Sequence, residues 1–372
     1  MNDRVFWKRA ALAALVICLF PQVSFCQNVR QQIAKEIERI SSAVAAKPDS
    51  DNHWKEAKPD IANGLKAANE SLAVGRIFLA LEQLREAWGN FVVMESMLDN
   101  PQAVQQGLPG FEAEWRKTDT YLKLWERRYE EGRKNPVPLA VRAIAETSAA
   151  ESRTYYNSSR AYAIAAPPGP LAAQAGLNVL GAAKGSIEFA VFCESLHFED
   201  VPSPAPLRSL APELHQLEAS MIAAYQPPRS IDKHAEFINM HSALKEAGDL
   251  DAAHLYAGAL YKYLDALEML ETLDASSPDN TPAPDELQKK VQQMRESFTK
   301  GADSSLVQLF FERSESNATS DTDAKAPGKS QIQQAILTKL VPAYYAALKA
   351  SELPTLTAAK TVTVTLVRWP YT

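Results

Sequence analysis

The chain has 372 residues, with 39 Lys and Arg against 45 Asp and Glu, a net charge of −6. That balance argues against nucleic acid as a partner, because such binding rests on neutralising phosphate with clustered Lys and Arg, and no cluster of bases occurs. Three cysteines are too few for a disulfide framework, and scarce glycine beside abundant alanine points to packed helices.

The first 26 residues read as an export leader. Arg4, Lys8 and Arg9 precede an unbroken apolar run from Ala10 to Phe20, followed by Pro21 and a short polar segment. Eleven residues of helix cover about 16 Å, against the roughly 30 Å needed to span a bilayer, so no membrane-spanning segment is expected. Ser24 and Cys26 suit the positions before a cut that leaves Gln27 first, and the Ala-rich leader and body predict a bacterial periplasmic or secreted protein. The alternative is a lipoprotein anchored through Cys26, although Phe25 stands where such a site calls for a small residue. The leader carries three bases and one acid, so the remainder is two charges more negative than the whole chain. Cys18 leaves with the leader and Cys26 is lost or lipidated, which leaves Cys193 alone. Its neighbours Phe189, Ala190, Val191 and Phe192 predict a buried thiol. Sequons at Asn69, Asn157 and Asn317 are chance occurrences on a bacterial reading.

From Asn28 to about Lys349 nearly every segment has helical periodicity. Val29, Ile33, Ile37, Ile40 and Val44 recur at three- and four-residue steps and predict a first helix. Helices over 60–74 and 76–98 are predicted to hinge at Gly75. Pro109 opens another that runs to Gly132, and Pro136 or Pro138 opens one that Pro167, Pro168, Gly169 and Pro170 stop. Residues 171–198 are rich in Ala and Gly and suit a central helix that neighbours approach closely. The Pro-rich stretch Val201–Pro206 is the predicted boundary between an N-terminal lobe, 27–200, and a C-terminal lobe, 207–312. The second lobe contains a hairpin over 229–274, with helices at 230–247 and 249–273 turning at Ala247 and Gly248. Residues 313–330 lack large apolar side chains and are expected to form a flexible linker. The last segment, 331–372, is a helix followed by an alternating β-branched stretch, 360–369, which predicts a single C-terminal strand. That strand pairs locally or adds an edge to another chain's sheet, and so makes 360–372 a candidate contact for a protein partner.

At Gly75 with Ala80, and again at Gly248 with Ala253, a glycine is followed five residues later by an alanine. Lys245, Glu246, Ala247, Gly248, Asp249, Leu250, Asp251, Ala252 and Ala253, with Tyr256 beyond, resemble the mid-repeat turn of a tetratricopeptide unit. Around Gly75 the likeness continues through Ala80, Leu84 and Ala87. It covers about two units. The resemblance implies stacked helix pairs that bind partner segments in a groove. The expected fold is all-α: an antiparallel helical-hairpin assembly, tetratricopeptide-like or an irregular α-bundle, with one C-terminal β-strand.

Catalytic signatures are missing: the sequence holds no HExxH, CxxC, GxSxG or GxGxxG. Gly328, Lys329 and Ser330 spell the end of a phosphate loop, but Asp323 occupies the place of its leading glycine. Histidine is unevenly spread, with His234, His241 and His254 close together. If the hairpin turns at Ala247 and Gly248, His241 and His254 face each other across it, and Asp251 shares a helical face with His254. His241, His254 and Asp251 would then offer nitrogen and oxygen ligands to a zinc-like divalent ion, the one cofactor the sequence suggests. The competing reading has these histidines capping carbonyls or bonding Tyr256, Tyr261 or Tyr263. Glu194 with His197 forms a Glu-x-x-His, and Asp251 with His254 its Asp counterpart, the element from which di-iron bundles are built. Phe111, Trp115, Leu122, Trp125 and Tyr129 form an aromatic stripe at the spacing of a buried seam. The favoured function is an exported, non-catalytic binding or scaffold protein. A metal-binding protein or metal-dependent enzyme centred on 234–254 is the alternative.

Overall fold

A computed structural model describes residues 25–48, 51–199, 201, 207–226, 231–274, 303–319 and 329–351, together with positions 286, 289, 290, 292 and 293. Most of the expected leader, the Pro-rich junction 202–206, Gly328 and the β-branched tail lie outside the described residues. Those described are all-α, with no strand among them. No helix among them is long and apolar enough to cross a membrane.

The helices are α1 (Phe25–Ala46), α2 (Asn52–Ala73), α3 (Ile77–Leu98), the short α4 (Pro101–Gln106), α5 (Leu108–Gly132), α6 (Leu139–Ala165) and α7 (Pro170–Ser195). After the junction come α8 (Ala211–Ala224), α9 (His234–Ala252), α10 (Tyr256–Asp274), α11 (Ser305–Thr319), α12 (Lys329–Ala335) and α13 (Val341–Ser351). Residues Ile336–Leu340 join the last two as a turn of π-helix. Pro342 explains that turn. It lacks an N–H, and in a regular helix its ring would meet the carbonyl of Thr338. Widening the preceding turn lets the Val341 N–H bond five residues back, to the Ile336 carbonyl.

The hydrophobic periodicity is realised as packing. Val29, Ile33, Ile37, Ile40 and Val44 all face inward from α1. The second helix starts earlier than expected, because the Asp51 carboxylate accepts from the His53 and Trp54 amides and Trp54 is buried. Pro59 is carried inside α2. Gly75 makes the α2–α3 turn with φ +89°, a conformation that side chains with a Cβ resist. From α5, Phe111, Leu122 and Tyr129 are buried, and Trp115 stacks flat on Tyr156 with 5.0 Å between ring centroids. Three residues of the aromatic stripe are core, and Trp115 and Trp125 pack against it partly buried. Cys193 is fully buried, and burial pushes its thiol well above the usual range.

Helix α7 is the centre of the bundle and packs on α3, α4, α5 and α6. It is apolar nearly all round, as a helix enclosed by others must be. Its glycines let backbones meet: a Cβ on Gly181 would lie 2.6 Å from Cα of Val93 on α3. Such a separation leaves no room for any side chain.

Several helices after α2 take their N-terminal caps from residues distant in sequence. The Leu79 amide of α3 donates to Glu312 Oε2 at 2.9 Å. At the start of α6, Leu139 N donates to Asp303 Oδ2 at 2.6 Å and Ala140 N to Ser305 Oγ at 2.9 Å. Leu210 N, before α8, donates to Asp251 Oδ1 at 2.7 Å, and Gly258 N of α10 to Glu146 Oε2 at 2.9 Å. Each bond satisfies an amide that no turn of its own helix can reach.

These caps correct two expectations. Residues 27–200 and 207–312 do not form separate cores: Asp303 and Glu312 cap helices of the first segment, and one cluster of buried apolar residues runs through both. The linker expected from residue 313 also starts too early. α11 continues to Thr319 with Ser314 buried, because the Arg313 charge is met by buried carboxylates instead of water. α9 and α10 pack against each other, and the turn between them falls at Ala253–Leu255, where His254 has φ +59°, not at Ala247 and Gly248. Gly248 is enclosed in α9, so the segment resembling a tetratricopeptide turn is helix there.

One substitution at two glycines separates these roles. Gly248 has open space where a Cβ would go, so Gly248→Ala should stabilise by about 1 kcal/mol through helix propensity. Gly181→Ala should instead destabilise by about 1–3 kcal/mol as α3 and α7 are forced apart. Urea midpoints read both, and a stabilised Gly181→Ala would contradict the packing described.

Candidate functional site

The residues first singled out for metal do not converge. His241 is exposed on α9, in a shallow cleft with Leu214, His215, Lys245 and Asp251. From His241 the helix rises roughly 16 Å to Ala252 at 1.5 Å per residue, and His254 sits in the turn beyond it. The expectation that the two face each other fails because the helix runs through Gly248. The Asp251 carboxylate already accepts from Ser209 Oγ at 2.6 Å and from Leu210 N. His254 Nδ1 lies 2.7 Å from the Tyr256 hydroxyl, and His234 Nδ1 lies 2.9 Å from that of Tyr225. Tyrosine bonding is the arrangement found. Among the described residues no group of three or more His, Cys, Asp or Glu is placed to hold a metal ion.

The Glu194 and His197 pair is also split. α7 ends at Ser195, so His197 lies past the helix end, where its amide donates to Gln32 Oε1 at 3.1 Å. Glu194 is buried, neither of its carboxylate oxygens has a hydrogen-bond partner, and burial raises its carboxyl to about 7.

What the fold does assemble is a charged cleft of about 470 Å³ between α3, α6, α7 and α10, with Arg313 of α11 in its wall. The helical repeat places Glu82, Arg85, Glu86, Gly89 and Val93 of α3 along one side. Glu151 and Tyr155 come from α6, Gly185 and Ser186 from α7, and Tyr261, Lys262 and Asp265 from α10. Glycine at 89 leaves space open, since a Cβ there would meet nothing within 4 Å, whereas Gly185 lets α7 approach α3 closely: a Cβ on it would lie 3.3 Å from Cα of Gly89 and from Cβ of Val92.

Arg313 organises the wall. Its Nε donates to Glu82 Oε2 at 2.8 Å and its Nη1 to Asp265 Oδ1 at 2.9 Å, while Nη2 reaches Glu82 and the Tyr261 hydroxyl. The guanidinium also lies over the Phe310 ring, 5.0 Å from its centroid. Tyr261 donates its hydroxyl to Glu82. Burial pushes the Glu82 carboxyl up, but the Arg313 charge and hydrogen bonds outweigh it and hold it below the ordinary range. Glu268 is farther from the same charge, at 3.8 Å, and burial wins there, raising its carboxyl to about 7. Glu82 therefore carries a charge facing Arg313 at neutral pH, and Glu268 holds its proton up to about that point.

Periodicity does not reveal these residues. Glu82, Arg85 and Arg313 read as ordinary polar positions of amphipathic helices. The available signal is that Glu312 and Arg313 follow Leu309, Phe310 and Phe311 directly, so their helix carries charges beside a buried apolar face.

The Glu268 proton gives a pH test. Folded Glu268 titrates near 7 and an unfolded glutamate near 4.5, so its contribution is fully present below pH 4.5 and is lost as pH rises through 7. Glu268→Gln keeps the neutral form at every pH. Its unfolding free energy should match the native protein at pH 4.5 and exceed it at pH 8 by up to about 3 kcal/mol. Chemical denaturation at the two values checks this, and an equal difference at both would refute the assignment.

Comparison with protein-family models, with curated proteins and with solved structures returned no match, so the geometry of the cleft carries the functional reading.

Proposed function

We propose that this is an exported, non-catalytic helical binding protein that receives a segment of a partner polypeptide in the cleft between α3, α6 and α10. The leader read in residues 1–26 supports the location. One observation supports the binding role: a cleft of about 470 Å³ lies open beside Gly89, and its polar groups are not all matched to one another. That volume falls within the roughly 300–1,000 Å³ of sites that enclose a ligand. The carboxylates deepest in the wall, Glu82 and Asp265, are fixed by Arg313 and serve to hold shape. Groups nearer the mouth, Glu86 and Asn90, make no side-chain bond among the described residues and are exposed. A rigid wall with unsatisfied polar groups at its entrance suits recognition of an extended chain, whose backbone and side chains both offer hydrogen bonds.

A photo-crosslinking side chain at Asn90 tests the reading in the cell that makes the protein. It should yield a discrete polypeptide adduct in the exported fraction, while the same probe at Glu70, exposed on α2, should yield none. Equal labelling from both positions, or none from Asn90, would remove the support for a partner in this cleft.

A further inference from the structure

Arg85 is the group in the cleft whose chemistry is left open. A guanidinium carries five N–H donors in a planar fork. Among the described residues Arg85 makes one hydrogen bond, from Nη2 to Glu151 Oε1, and at 3.5 Å that bond is at the outer limit of hydrogen-bonding distance. Its Nη1 is buried with no acceptor, and the Oε1 of Gln83, also lining the cleft, is buried without a donor. About a quarter of the Arg85 side chain remains open, at 26% exposure. A buried donor left unmatched costs about 1–3 kcal/mol, and a fork matches a carboxylate with two parallel bonds.

The other charges of the cleft define what must accompany that carboxylate. Glu82, Glu86, Glu151 and Asp265 line it against Arg85, Lys262 and Arg313. Arg313 is matched by Glu82 and Asp265, and Lys262 Nζ pairs with Glu246 at 2.5 Å. A second anion alone would enter a surface with acid in excess. Glu86, one residue from Arg85 and without an ion pair, is placed to meet a cation on the same ligand. Tyr155 lies across the cleft and adds a half-open ring for such a cation to approach.

We propose that the cleft binds the free carboxyl end of a peptide with a basic residue next to it, the terminal carboxylate on Arg85 and the basic side chain on Glu86. The proposal rests on the cleft being the binding site, and it adds which part of the partner enters. Glu151 holds Arg85 weakly, so an arriving carboxylate meets the open quarter of the side chain and displaces Glu151 without breaking a strong pair, and a turn of the guanidinium toward the cleft brings the buried Nη1 to it. The same chemistry exists in a free short peptide, whose own N-terminal ammonium would supply the cation, and the two sources are separable.

The test is calorimetric titration of the full chain with N-acetyl-Ala-Ala-Ala-Ala-Lys-Ala bearing a free carboxyl end. Three further probes are its C-terminal amide, its acetyl-lysine form and unblocked tri-alanine. The free acid should bind, and both amidation and lysine acetylation should weaken it by about tenfold or more, the loss of one charge-assisted contact. Arg85→Met should abolish the difference between acid and amide, and Arg85→Lys, which keeps the charge but not the fork, should restore only part of it. Glu86→Gln should abolish the lysine effect alone. No binding of the free acid, or an amidation effect that survives in Arg85→Met, would overturn the proposal. Tri-alanine binding more tightly than the hexapeptide would place the cation at a free N-terminus and overturn the chain-end assignment. A cross-link from Asn90 without binding of the free acid would leave the cleft as the site while removing this ligand.

Discussion

Acids distant in sequence hold the starts of several helices, and much of the architecture follows from that constraint. The first amides of a helix have no partner within it, and burying them unmet is costly. Here the starts of α3, α6 and α10 lie inside the protein, where water cannot serve them. Glu312 and Glu146 reach in from other helices instead, and Asp303 from the residues just before α11. Each bond fixes an end of one helix against another more than 100 positions away in the chain. Helix order, and the fusion of the two halves into one core, depend on these few contacts more than on any short turn. The raised carboxyl of Glu312, at about 7, shows the opposing force: desolvation disfavours its charge even where backbone amides favour it.

The second constraint is steric. α7 is built from Ala and Gly on the faces that α3 and α6 approach, so three helix axes come together with little side chain between them. That close approach has two consequences. It buries the outer helices against a common centre, with Gly185 close against α3, and it leaves a gap beside Gly89 where a side chain would otherwise stand. The cleft is the space that small residues create once α10 and α11 close one side of it. Arg313 then becomes tolerable. A lone guanidinium buried among apolar rings would be expensive, but Glu82, Asp265 and Tyr261 arrive from two other helices to match it.

The histidine hairpin shows how a local inference fails for a physical reason. A glycine followed by acid and alanine is compatible with a turn, and two histidines equally spaced about it would then meet. A single glycine inside a helix costs only about 1 kcal/mol, however, and the packing of Met240, Leu244, Ala247 and Leu250 holds α9 straight through it. The chain turns only at Ala253–Leu255, with His254, six residues beyond Gly248, in the left-handed conformation. The aromatic stripe of α5 is the opposite case: its spacing and its burial agree, because one periodic face was enough to specify both.

Helical class, the α2–α3 turn at Gly75, the stops around Pro136 and Pro167, the buried Cys193 and the central place of the Ala- and Gly-rich segment were all legible along the chain. Each depends on side chains within one or two turns of one another, where periodicity and backbone chemistry act directly. The caps, the Arg313 wall and the cleft were decided only when distant helices met. A glutamate at position 82 or 312 reads the same whether it faces water or a buried amide, and nothing near it in the sequence says which. The energy that settles the matter is that of desolvation against a specific partner, and the partner is chosen by the tertiary fold.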